Sequence, residues 1–387
     1  MGKWICPKCQ QVHADSVSST CPACGGEDVR DFQNSDEYLQ KEVASVLKER
    51  KELGLDGLVK GLSCVIINTE PDHQKATAEE FLKFTGLDVT EAFEDAHFRT
   101  VVLATEGSAD FLIRSRKAEN PFLELNTFPK SEHLPNTRLE TFVFETTDIE
   151  KYVSIQKKRG IEFLTEDIFH CDNYSFIQTI PSQYTGNSIG FIQWRQRPRC
   201  YAASGAKPLD WKFHKTDGLP AGNVKELDHA ATRVRAEDRD AAIIEFMNLT
   251  NYKFDFAIYV KIFNSITNVA RFSSKDFAMV FTSGIAPYFD DETSGPTEKF
   301  AHNYGPRVHH IAFRTEEIEQ TVSALKNEGL NFLLDLAGSV EEGLKQIFSS
   351  PSEHTLLVNE YIHRYGDFDG FFTRSNVTLL TGATAKQ

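Results

Sequence analysis

Nowhere in the 387 residues does an apolar run approach the roughly 20 that a membrane-spanning helix needs. The opening stretch MGKWICPKC also lacks the apolar segment of a secretory leader, so a cytoplasmic chain with no membrane partner is expected. Position 6 is Cys6 where a myristoylation signal on Met1-Gly2 would want Ser or Thr. Excess basic charge is absent too: 42 Lys and Arg face 56 Asp and Glu, and no clear basic cluster offsets the net charge of −14. Such a surface repels polyanions, which argues against nucleic acid and for a small-molecule partner. What remains is an ordinary globular composition, 40% hydrophobic and 25% charged. The length exceeds what one core supports, near roughly 250 residues, so two or more packed units are expected.

Cysteine is scarce but patterned. Of seven, Cys6, Cys9, Cys21 and Cys24 form two C-x2-C pairs eleven residues apart, while Cys64, Cys171 and Cys200 are scattered and read as ordinary thiols. Four thiolates with no open position suit structural Zn2+, and a segment this small needs a metal because it has almost no core. Rubredoxin-like iron sites share the spacing and are the alternative. His13 reads as a solvated loop residue. The few basic residues here (Lys3, Lys8, Arg30) favour a scaffold or protein-docking role over nucleic acid. Residues 1–34 are therefore a zinc ribbon and 35–58 a helical connector. In the connector Ser35 is the expected N-cap, Gly54 the stop, and Tyr38, Val43, Val46 and Leu47 a modest apolar stripe.

The rest of the chain repeats itself. Leu62-Ser63-Cys64 followed by Glu80-Phe81-Leu82-Lys83-Phe84-Thr85 parallels Leu227-Asp228-His229 followed by Glu245-Phe246-Met247-Asn248-Leu249-Thr250, at an offset of 165. RLETFVFETTDIEKYVSIQKKRGIEFL from Arg138 parallels RVHHIAFRTEEIEQTVSALKNEGLNFL from Arg307, at an offset of 169. Each copy reads as an alternating strand, a turn, a helix with an acidic first turn, and a Gly stop. Runs such as RTVVLAT and FAMVFTS supply further strands.

The segments LDHAATRV, VHHIAFRTEEIEQ, LKQIF and LVNEYIHRYGDFDGFF make the C-terminal half resemble the 4-hydroxyphenylpyruvate dioxygenase family of the vicinal-oxygen-chelate superfamily. The likeness covers roughly Leu62 to the end. It implies an α+β fold of duplicated βαβββ barrel halves, 59–205 without metal ligands and 220–387 catalytic, preceded by the small zinc ribbon. It further implies that His229, His310 and Glu360 hold Fe(II). Two imidazoles and a carboxylate leave adjacent positions open for a chelating 2-oxo acid and for O2, which supports the assignment chemically. Aligning the halves sets Cys64 opposite His229, Thr141 opposite His310 and Gln193 opposite Glu360, so one metal site per chain is expected. Taken singly, each histidine reads better as a satisfied core residue and Glu360 as an ion-paired surface residue; it is the three together, on matched repeat strands with the other copy blank, that read as ligands. Strand alternation turns His309 to the opposite face, in a structural or supporting role.

From the same resemblance, Gln346 faces the metal pocket as a catalytic residue in contact with substrate. Phe371, Phe372 and Asn376 belong to the substrate pocket under a C-terminal lid helix. Two departures stand out: the lid reads Gly370-Phe371-Phe372-Thr373-Arg374-Ser375-Asn376-Val377 with fewer glycines, and Phe281-Thr282-Ser283-Gly284 and Gly295-Pro296-Thr297 lack the family's phenol-binding polar residues. The implied activity is oxidative decarboxylation of 4-hydroxyphenylpyruvate or a related arylpyruvate by O2. The same chemistry on another 2-oxo acid and a non-enzymatic metal- or ligand-binding protein stand as alternatives. A homo-oligomer is implied by analogy alone.

Overall fold

The computed structural model of the chain describes residues 33–215, 218–220, 222–366, 368 and 370–387, and the backbone of Lys3–Ile5 and Val12–Ala14, which pair as an antiparallel hairpin. Cys6, Cys9, Cys21 and Cys24, expected to hold Zn2+, lie outside the described residues.

The repeated sequence becomes repeated topology. In the first half, strand Val59–Asn68, helix Gln74–Phe84 and strands Asp88–Glu94, Phe98–Ala104 and Asp110–Arg116 form one βαβββ unit. A second runs from strand Arg138–Thr146 through helix Ile149–Lys158 to Phe169–His170, Tyr174–Gln178 and Ser188–Trp194. The other half repeats this, first with Val224–Arg233, helix Arg239–Leu249, Lys253–Val260, Ser265–Arg271 and Ala278–Ser283. It then continues with Arg307–Thr315, helix Ile318–Asn327, Ala337–Ser339, Leu344–Phe348 and Val358–Arg364. Each half is thus a pair of units curled into one mixed sheet. The strand orders coincide except for the short edge strand Lys207–Pro208. At the centre of each sheet the first strands of the two units pair antiparallel, with β-bulges at matching stations.

Local chemistry explains the shared helices. Thr85 and Thr250, equivalent in the repeat, each donate through Oγ1 to the carbonyl four residues back, Phe81 O at 2.6 Å and Phe246 O at 2.8 Å. Each hydroxyl also accepts from the amide two residues on, which closes the helix end. One hydrophobic core runs through both halves. Phe111 stacks on Phe313 at 5.9 Å and Phe144 meets Phe246 edge-on at 5.8 Å, so the halves share buried rings. Full burial of each ring is worth about 1.5–3 kcal/mol.

The connector helix spans Asp36–Glu52, with Ser35 extended at the N-cap but making no side-chain cap bond. Gly54 follows at φ +70°, the left-handed stop that glycine allows. The buried stripe is Leu39, Val46 and Arg50, whereas Tyr38 (57% exposed) and Leu47 (36%) face water. The docking face is therefore rotated from the expected one, because Arg50 reaches inward to Met247 O at 2.9 Å and Tyr252 O at 2.8 Å. Among the described residues no helix is long and apolar enough to cross a membrane.

Candidate metal centre

Sheet register brings the three expected ligands together. His229 pairs across the central ladder with Ala312, and Ala312 pairs with Glu360 on its other side. The methyl side chain of Ala312 leaves room for the imidazole and the carboxylate to meet over it. His310 enters from the same strand as Ala312, two residues earlier, on the same face. The result is a buried convergence: His229 Nε2 lies 3.1 Å and His310 Nε2 3.3 Å from Glu360 Oε2. One ligand atom from each residue falls within 4.8 Å of the others.

Each of the three is held from behind. The Asp228 carboxylate accepts from His229 Nδ1 at 2.8 Å. Arg364 grips that carboxylate with Nη1 on Oδ2 at 2.5 Å and Nη2 on Oδ1 at 3.0 Å. Although burial opposes ionisation of Asp228, Arg364 and the His229 hydrogen bond hold it well below the usual carboxylate range. The other oxygen of Glu360 accepts from Gln346 Nε2 at 2.5 Å, and Gln346 Oε1 in turn accepts from Asn376 Nδ2 at 3.0 Å.

His309 corrects the alternation argument. A bulge between Ala231 and Thr232 makes His309 the unpaired residue of its strand, so its ring meets that of His310, Nδ1 to Nδ1 at 2.9 Å. Burial, then the charge of Arg233, pushes His309 well below the ordinary imidazole value, and burial does the same to His310. The amide oxygen of Gln387 only accepts, so His309 Nε2 donates to it at 2.7 Å and leaves Nδ1 as an acceptor. His310 Nδ1 must then donate, which leaves a bare lone pair on His310 Nε2 facing Glu360. His229 differs. Burial lowers it, but Glu360 and then Asp228 outweigh burial and lift it to about 9.

The donor set fits a divalent first-row cation: a neutral imidazole, a second imidazole whose proton a metal would displace, and a carboxylate, all on one side. Phe371 and Phe372 meet the His229 ring edge-on at 5.4 and 5.2 Å, so they wall the site in the loop before helix Arg374–Ala383. Asn376 reaches the centre only through Gln346. Beyond these three residues lies a cavity of about 40 Å³, lined by Gln346, Phe348, Phe372, Thr282 and Arg233 among others. Asp228, Arg364 and Arg233 were not singled out by sequence. Asp228 was visible only as the neighbour of a ligand, and the two arginines carried no spacing signal.

In the first sheet the same register gives Cys64 opposite His229 and Thr141 opposite His310. Glu360, however, corresponds to Gly190 and not to Gln193, because Val143 pairs with Gly190 as Ala312 pairs with Glu360. Insertions lengthen the repeat offset along the chain, and Gln193 falls where the second sheet has His363. A Cβ at Gly190 would stand 3.0 Å from Val143 Cγ2 and 3.1 Å from Phe176 Cε2. The blank site is packed shut, with Tyr174, Phe176, Trp194 and Tyr201 filling that face.

No protein-family model matches the chain, and no curated protein matches it significantly. Solved structures do. The chain superposes on a triple mutant of 4-hydroxymandelate synthase from Streptomyces coelicolor with a TM-score of 0.64 at 16% identity, covering 85% of this chain and 98% of that one. It also matches a xylose isomerase-like TIM barrel/4-hydroxyphenylpyruvate dioxygenase fusion protein with a TM-score of 0.60 at 15% identity, over 90% of this chain and 57% of that one. The fold is the duplicated vicinal-oxygen-chelate fold. At such identities the likeness establishes architecture, and chemistry rests on the centre itself.

Proposed function

We propose that the chain is an Fe(II)-dependent dioxygenase that oxidatively decarboxylates a 2-oxo acid, with His229, His310 and Glu360 as the iron ligands. The observation that carries this reading is the convergence of two Nε2 atoms and one carboxylate oxygen within 4.8 Å. Iron held by His229, His310 and Glu360 would supply the chemistry that couples decarboxylation of a 2-oxo acid to reduction of O2.

The protein's own groups do the rest. Asp228 and Arg364 fix the ring of His229, the His309 contact sets the tautomer of His310, and the Gln346–Asn376 pair fixes Glu360. Gln346 is thereby a positioning residue with one face toward the cavity. Phe371 and Phe372 exclude water from the reacting end. The activities named for the two similar structures favour an arylpyruvate such as 4-hydroxyphenylpyruvate. A second reading, the same chemistry on a different 2-oxo acid, is favoured by the lining of Thr282, Thr297 and Arg233. We also propose that Cys6, Cys9, Cys21 and Cys24 hold one structural Zn2+, testable as a zinc content that chelation removes without removing the iron.

The test is anaerobic loading with Fe(II), followed by O2 uptake and CO2 release across a panel of 2-oxo acids, with Glu360→Ala as control. Turnover that vanishes in the control is expected. Stoichiometric iron binding with no turnover of any 2-oxo acid would reject the reading in favour of a binding protein.

A further inference from the structure

Arg233 ends the strand that carries His229, four residues further along and therefore on the same face, roughly 13 Å away at the backbone. It is 4% exposed, yet its guanidinium donates to neutral oxygens, Pro296 O at 3.2 Å and Thr384 Oγ1 at 2.8 Å, and rests 4.7 Å over the Phe300 ring. Burial drags it down to about 9, the Tyr304 phenol nearby opposes that only in part, and among the described residues Arg233 pairs with no carboxylate. Arg239, six residues on and equally buried, is treated differently: it pairs with Asp36 at 2.5 Å and Asp240 at 3.2 Å. Other buried arginines of the halves' interface, such as Arg307, also point at backbone carbonyls, but they are not among the residues that line the cavity at the metal centre. Arg233 is, and His310, Gln346 and Glu360 line the same one.

A buried cation without a counter-ion is costly by several kcal/mol, so a chain that keeps one at a cavity wall has a use for an anion there. The neighbouring wall agrees. Thr282 pairs directly with Arg233 across the ladder and its buried Oγ1 has no hydrogen-bond partner. Ser265 and Thr297 add two further hydroxyls, in mutual contact at 3.0 Å. A guanidinium with hydroxyls is the donor set of a carboxylate site, and it forms the polar end of a cavity whose other walls, Val280, Phe348, Phe372, Val377 and Leu380, are apolar. The cavity's volume, about 40 Å³, is room for about three waters, so a slender acyclic chain enters with less displacement of the walls than an aryl ring does.

We propose that Arg233, with Thr282, receives the distal carboxylate of a short dicarboxylic 2-oxo acid whose 2-oxo acid end is presented to His229, His310 and Glu360. Arg233 is then the specificity-determining residue. The inference rests on the metal-centre reading above, from which its test must be separable.

Iron-loaded protein is titrated anaerobically by calorimetry with 2-oxoglutarate and 2-oxoadipate, and in parallel with phenylpyruvate and 4-hydroxyphenylpyruvate. The dicarboxylic probes are expected to bind at least tenfold more tightly than the aryl ones. Arg233→Gln is expected to weaken the dicarboxylic probes by roughly 10–100-fold while moving the aryl ones little, with part of the loss restored in Arg233→Lys. Since removal of a buried residue risks misfolding, Thr282→Val serves as a near-isosteric second variant with a smaller loss of the same sign. Wild-type protein that binds aryl probes as well as or better than dicarboxylic ones overturns the proposal, as does an Arg233→Gln loss equal for both classes. Failure of the metal reading is distinct: iron content itself would then be low, and unchanged in Glu360→Ala.

Discussion

Asp228 and Arg364 face each other as a bidentate pair, and the oxygen of Asp228 that takes the longer of its two bonds also receives Nδ1 of His229 at 2.8 Å. One carboxylate thus couples a candidate ligand to the last residue of the strand bearing Glu360. Through Phe371 O, on which Arg364 Nη2 also donates at 3.3 Å, the pair reaches the aromatic wall as well. Removing Asp228 frees the His229 ring and leaves the half-buried Arg364 guanidinium with Phe371 O as its remaining acceptor. Asp228→Ala is expected to lower iron affinity by roughly 10–100-fold without touching a ligand, measured by competition with a chelating dye. Unchanged affinity would reduce the pair to a structural bridge.

Metal loading should also be visible in stability. A ligand that binds only the folded state stabilises by about 4 kcal/mol at a thousand times its Kd. Anaerobic Fe(II) at that excess is expected to raise Tm by roughly 5–10 °C, an increase that Glu360→Ala abolishes. An equal rise in the variant would place the bound metal elsewhere.

How far these features were legible in the sequence follows from their physics. The convergence of His229, His310 and Glu360 was, because the family resemblance singled out all three and each sits on a repeat strand whose other copy carries a different residue type. His309 was not, since alternation assumes an unbroken ladder and the bulge inserts one residue just there. The counterpart of Glu360 was misplaced at Gln193 because loop insertions between landmarks shift the register, which only the ladder partners reveal. Asp228 and Arg364 are 136 residues apart, and Arg233 and Thr384 151, so no local pattern joins them.

Gly190 offers a test of why the first sheet holds no second centre. With Val143, Phe176 and Thr141 side chains at 3.0 to 3.2 Å from where a Cβ would stand, even one methyl overpacks the face. Gly190→Ala is expected to cost about 1–3 kcal/mol in urea denaturation while leaving iron binding intact. A neutral result would mean that the face yields, and that lost ligands alone keep it blank.

Arg50 tests the docking of the connector helix. Its Nη2 serves two carbonyls, Met247 O and Tyr252 O, at the end of the helix that repeats Gln74–Phe84. Arg50→Ala strands both acceptors in a buried place and is expected to cost about 2–4 kcal/mol, again read by denaturation. A change within about 0.5 kcal/mol would show the helix to be held by its other contacts, among them Leu39, Val46 and the Asp36–Arg239 pair.

Glu298 gives the pH dependence. It is 1% exposed, accepts from Gly284 N at 2.7 Å, and is pushed by burial and then by Glu237 from 4.5 to about 8. Below the unfolded value both states hold the proton and the group contributes no slope. Between the two values the folded chain keeps a proton that the unfolded chain has released, so stability falls by about 1.4 kcal/mol for each pH unit. Above the folded value both are ionised and the loss stays constant. Glu298→Gln removes this titration while its amide oxygen still accepts from Gly284, so the variant should gain on the wild type by roughly 2–4 kcal/mol between about pH 5 and about pH 8. Urea denaturation at the two pH values decides it: a stability difference that does not change with pH would mean that Glu298 is already ionised in the fold, its charge carried by the Gly284 and Ala236 amides.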